Sequence, residues 1–125
     1  MKRDLQTLSH LRQDLRRLVA EMGESMKAMF GRDPLIKGTV YEMARKCGKP
    51  SCTCCRGALH RSTVLSVSHH GKTKLISIPP ARLTELREKS KAYQHFRRAR
   101  ANVSAIGKKM LVVIDQIERI RREEP

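Results

Sequence analysis

Cys47, Cys52, Cys54 and Cys55 are the only cysteines in the chain of 125 residues, and they fall within nine positions of one another. His60 follows five positions after the last. Thiolates and a neutral imidazole are the donors that tetrahedral zinc takes. Cys47, Cys52 and Cys54 form C-x4-C-x-C, with Gly48 and Pro50 permitting the tight turn that returns Cys47 to Cys52. Either Cys55 or His60 can complete four ligands. Adjacent Cys54 and Cys55 reach one centre only with backbone strain, so His60 is favoured. One structural zinc per chain is expected, and such a site supplies on the order of 10 kcal/mol to a poorly cored module. A catalytic zinc needs an open position and a nearby general base. No acidic residue lies between Glu42 and Glu85, so the chain is read as non-enzymatic. A thiol-based metal or redox sensor, with Cys54 and Cys55 responding, is the alternative from another class.

The motif Cys47-Gly48-Lys49-Pro50-x-Cys52-x-Cys54-x-x-Gly57-x-x-His60 has Gly38-Thr39 upstream and Gly71-Lys72-Thr73 downstream. Over roughly Lys37 to Ile106 it resembles a small uncharacterised bacterial family of short basic proteins, often encoded beside transposases. The resemblance implies metal ligands at Cys47, Cys52, Cys54 and His60, and mobile-element DNA as the setting. Members carry Gly-Pro-Tyr after the histidine, where this chain has Arg61-Ser62-Thr63, and Cys55 is an addition.

Charge points the same way. Lys and Arg number 27 against 12 Asp and Glu, a formal net charge of +15. Residues 37–109 hold seventeen basic and three acidic groups, while residues 1–36 hold seven and five and residues 110–125 three and four. A solvated surface normally mixes signs, so the segregation favours a polyanion-binding face. DNA is the favoured partner, with structured or ribosomal RNA as the alternative. Phe30, Phe96, Tyr41 and Tyr93 are the only aromatics and there is no Trp, so base stacking contributes little. The same shortage argues against an enclosed small-molecule cavity. The residues expected to meet nucleic acid are Arg45, Lys46, Lys49, Arg56, Arg61, Lys72 and Lys74, then Arg97, Arg98, Arg100, Lys108 and Lys109.

These residues need elements to position them, and the pattern predicts an α+β protein. Leu8, Leu11, Leu15, Leu18, Met22 and Met29, with Leu5 and Met26 alongside, mark a helix from about residue 3 to 30. Ser25 interrupts its heptad register. Gly31-Arg32-Asp33-Pro34 stops it. Thr39-Val40-Tyr41 opens a strand over 39–45. Residues 62–68 and 74–78 form a hairpin turning through His69-His70-Gly71-Lys72-Thr73. Pro79-Pro80 opens a long helical region, with a break near residue 90 allowed for. In it Phe96, Ala99, Val103, Ile106, Met110, Val113, Ile117 and Ile120 keep a 3-4 spacing across 25 residues, a heptad seam. The organisation is 1–34 amphipathic helix, 35–79 cysteine and hairpin module, 80–125 helical region. The helical seams pack on each other or on a second copy, and a homodimer is favoured.

Several sharper readings give way to plainer ones. Tyr41 as a DNA nucleophile would need a larger catalytic domain, so it is read as a packing residue. The His69-His70 pair is read as an exposed turn. Gly71-Lys72-Thr73 lacks the upstream glycine of a phosphate loop. No run is long enough to span a bilayer and the N-terminus opens an amphipathic helix. A cytoplasmic protein is expected, nucleoid-associated if it binds DNA.

Overall fold

A computed structural model describes residues 4–45, 48, 49, 51, 57 and 59–125. The architecture is α+β: α1 (Leu5–Met26), strands β1 (Thr39–Arg45), β2 (His60–His69) and β3 (Lys72–Ser77), and α2 (Leu83–Arg121). Two compact units are present, Met1–Arg32 with His95–Pro125, and Asp33–Gln94.

The first unit is a pair of helices. Asp4 caps α1, its carboxylate accepting from the Thr7 hydroxyl and, at 3.0 Å, from the Thr7 backbone N–H. Those two bonds, the hydroxyl's first, hold the Asp4 carboxyl below its ordinary value. At its far end α1 tightens into a 3-10 turn over Lys27–Phe30, and the chain becomes extended at Gly31. All eight residues of the expected α2 seam are buried or half-covered, and Gly107 is the one other covered position from 97 to 121. On α1 the matching positions Leu8, Leu11, Leu15, Leu18 and Met22 are covered, and so is Ser25. Ser25 therefore occupies a seam position and does not end the register. Leu5, in the first turn, is exposed.

Gly107 faces α1, and a Cβ there would sit 3.8 Å from Met22 Cε, an ordinary van der Waals contact. Glu24, Ser25, Lys27 and Ala28 share a groove with His95, Arg98, Ala99 and Asn102. Numbers that rise along α1 meet numbers that fall along α2, so the helices run antiparallel. With a constant rise per residue, Leu18 stands level with Met110 and Leu11 with Ile117.

The second unit is an antiparallel sheet in the order β1-β2-β3, lying on the first turns of α2. Register pairs Val40 with Leu65 and Leu65 with Ile76. Leu65, Ile78 and Leu86 form the buried cluster, with Ile36, Val40, Val67 and Leu83 packed against it. Burying side chains of this kind stabilises by about 1.5–3 kcal/mol each. The hairpin closes through His70 and Gly71 alone, at φ 49° and 78°. Positive φ at both central residues is the type I′ geometry that matches strand twist.

The expected helical region contains no break near residue 90: α2 is continuous from Leu83 to Arg121. Ser90 is buried there, and its hydroxyl donates to the Gly38 carbonyl at 2.6 Å. The Ile36 N–H donates to the Lys89 carbonyl at 3.1 Å. Together these bonds fasten the chain entering β1 to the helix.

Two glycines should respond in opposite directions. A Cβ on Gly38 would lie 2.9 Å from Leu65 Cδ1, the Ser66 carbonyl and Val67 Cγ1, whereas one on Gly23 meets nothing within 4 Å. Gly38→Ala is expected to destabilise by about 1–3 kcal/mol. Gly23→Ala, inside α1, should stabilise by about 0.5–1 kcal/mol. Urea denaturation of both variants checks the pair.

Candidate metal loop and cationic surfaces

β1 and β2 are neighbours, and their ladder ends on the pair Arg45↔His60. The segment between those residues is thus the connection of one antiparallel pair, and every cysteine of the chain belongs to it. Cys47, Cys52, Cys54 and Cys55 lie outside the described residues, as do Lys46 and Arg56. Of the expected ligand set only His60 is described, exposed at the first position of β2. Among the described residues no three His, Cys, Asp or Glu side chains gather as a metal site. Gly48 and Gly57 adopt φ of 84° and 113°, conformations that glycine supplies without a Cβ clash. Both are compatible with a chain that turns sharply inside this connection.

The expected nucleic-acid residues of this unit do not form one group. Arg45 and Arg61 stand at the end of the sheet that carries the cysteine connection. Arg61 faces Glu42 at 3.8 Å, and both side chains are largely solvated. Lys72 and Lys74 stand at the other end, opposite His69 and Val67. His60 and His69 are nine positions apart along β2, which at roughly 3.3 Å per residue separates the two ends by about 30 Å. His69 and His70 meet edge to face at the hairpin turn, with ring centroids 4.2 Å apart. Lys49 is exposed in the connection. Tyr41 pairs in register with the buried Val64 but is itself exposed, so it is not the packing residue expected of it.

In the helical unit, Arg97, Arg98, Arg100, Lys108 and Lys109 are all exposed on α2, off the covered seam. Among the described residues none of the five has an ion-pair partner, although Arg17, Lys27 and Arg122 of the same unit do. Near the start of α2 the pattern differs. Glu85 takes Lys89 at 2.6 Å and Arg82 at 3.6 Å. The Lys89 hydrogen bond, more than its charge, holds the Glu85 carboxyl below its ordinary value.

Sequence reasoning missed the role of Ser90 and Gly38 in seating the sheet. Nothing local marks a contact across 52 positions, although Gly38 was part of the motif. Among the described residues no helix is long and apolar enough to cross a membrane.

A small antiparallel sheet fastened to a helix, with all its cysteines in one strand connection, defines the class. The chain belongs to the family described as a domain of unknown function, DUF6788, whose profile matches residues 8–88. That span takes in most of α1, the whole sheet with its cysteine connection, and the start of α2. No curated protein and no solved structure matches.

Because the α2 cations are exposed and have no ion-pair partner among the described residues, replacing Arg97, Arg98 and Arg100 together by Gln should leave folding intact. Each change is expected to alter stability by no more than about 0.5 kcal/mol. Thermal unfolding followed by circular dichroism is the check.

Proposed function

We propose that the protein is a non-enzymatic nucleic-acid-binding protein that favours DNA, with one structural zinc held by Cys47, Cys52, Cys54 and His60. Segregation of charge carries the reading: seventeen basic against three acidic groups in residues 37–109. The exposed, unpaired cations of α2 support it, because phosphate neutralisation needs charges that no intramolecular partner already satisfies. Few aromatic side chains are present for base stacking, which favours contact through backbone charge. In this reading the protein would act as an accessory to transposition or as a regulator.

When bound, zinc would tie the connection between β1 and β2 to the first residue of β2, adding stability where the core is small. Thiolate and imidazole donors suit such a closed site. The hairpin turn, at the other end of the sheet, would not be shaped by that metal. Phosphate contacts from Lys72 and Lys74 would then be independent of it.

Affinity for a duplex DNA of arbitrary sequence should fall steeply with salt. Arg97, Arg98 and Arg100 replaced by Gln should flatten the slope of log K against log salt by up to about 3. Fluorescence anisotropy across a salt series reads this, and a salt-independent affinity would sink the proposal. Tighter binding of an RNA competitor would transfer the reading to RNA.

Metal content is a separate measurement. The full chain should carry one zinc by elemental analysis, Cys52→Ser should lose it, and Cys55→Ser should keep it. A chain that takes up no zinc would bring thiol chemistry forward in its place.

A further inference from the structure

Arg97, Ala101, Ser104 and Lys108 are all exposed on α2. Steps of four, three and four residues keep them within about 60° of one another at 3.6 residues per turn. Phe96, Ala99, Val103, Ile106 and Met110, the positions covered in the pairing with α1, centre about 150° away. The stripe therefore looks almost directly away from α1. Further cations flank it. Arg98 and Lys109 lie about 100° to one side of the stripe, and Arg100 about 70° to the other.

From Lys89 to Ile114 there is no acidic residue. Among the described residues none of these five cations has an ion-pair partner. Between the two ends of the stripe, the exposed side chains of α2 are Ala101, Asn102, Ser104 and Ala105. None is charged and none is longer than asparagine. A surface can thus approach the middle of the stripe closely while charges meet it at the ends and on both flanks.

The major groove of B-DNA has that shape. It is about 12 Å wide and admits an α-helix, with base edges on its floor. Phosphates form its two walls. A helix lying in it with the stripe towards the floor turns Arg98 and Lys109 to one wall and Arg100 to the other. The eleven residues from Arg97 to Lys108 rise about 16 Å, so the stripe spans at most about five base-pair steps of 3.4 Å. Arg and Lys side chains bond the O6 and N7 acceptors of guanine in this groove. Double-stranded RNA offers no equivalent, because side chains cannot read its deep, narrow major groove.

We propose that α2 enters the major groove of duplex DNA along Arg97–Lys108 and reads bases there. Arg97 and Lys108 contact guanines at the two ends of the site, while Arg98, Arg100 and Lys109 hold the flanking phosphates. Base reading by α2 rests on the nucleic-acid-binding function proposed above. It adds a sequence preference that phosphate contacts alone do not supply.

Selection by the full chain from a pool of randomised duplex DNA, followed by fluorescence anisotropy on the enriched duplex, is the test. An enriched site with two G·C positions no more than about five steps apart is expected. Arg97→Gln and Lys108→Gln should each weaken binding to that duplex at least about fivefold and relax the preference at one of the two positions. Arg98→Gln, Arg100→Gln and Lys109→Gln should instead weaken selected and random duplexes equally. The duplex can also be altered in place of the protein. Replacing the selected guanines by 7-deazaguanine keeps the base pair but removes N7, and should weaken binding by the unaltered chain. Salt-dependent binding without any enriched sequence overturns base reading and leaves phosphate binding standing. An enriched site indifferent to R97Q, K108Q and 7-deazaguanine overturns it as well. A chain that binds no duplex DNA overturns both.

Discussion

Seating of the sheet on the first turns of α2 is the constraint on which the cysteine-bearing unit depends. Three strands by themselves leave two open faces, and a sheet this small needs packing against a helix to hold. Leu65, Ile78 and Leu86 provide that packing. The Ser90 hydroxyl on the Gly38 carbonyl and the Ile36 N–H on the Lys89 carbonyl add polar bonds between helix and strand entry. The absence of a side chain at Gly38 is what lets the strand entry lie against Leu65 and Val67. Once this contact forms, β1 and β2 are aligned to their ends, and the two ends of the cysteine connection are brought to Arg45 and His60.

The helical unit works by a different balance. Its seam is long but shallow, and only Leu18, Ala99 and Ile106 are fully buried within it. Two helices share one line of contact, so most of each circumference remains in solvent. Cations occupy much of this outer surface from 97 to 109, and apolar residues take over just beyond. The exposed surface of a single helix therefore changes along its length, from cationic to apolar. The family profile ends at Glu88, so both of these surfaces lie past the matched span.

Periodic features were legible in the sequence. The 3-4 spacing from Phe96 to Ile120 identified the covered positions of α2 residue by residue, because one repeated geometric rule governs the whole stretch. His70-Gly71 was legible as a turn because a tight hairpin accepts few residue types. The register interruption expected at Ser25 did not occur, since a small polar side chain fits a seam at modest cost. Continuity of α2 past residue 90 was not legible, because the buried hydroxyl of Ser90 finds its acceptor 52 positions away. The candidate site divides in the same manner. Cysteine spacing and charge excess stand in the sequence as written, but the separation of Arg45 and Arg61 from Lys72 and Lys74 is a product of strand register.

The order β1-β2-β3 leaves two edge strands, and β3 is exposed at every position from Lys72 to Ser77. An edge of this kind offers unpaired backbone groups to any passing strand and invites uncontrolled sheet extension. Leu75 and Ile76 would make such an addition adhesive. Lys72 and Lys74 sit on that same edge, where burying a strongly hydrated ammonium against an incoming strand is unfavourable. These two lysines therefore also act against the addition of a fourth strand at that edge.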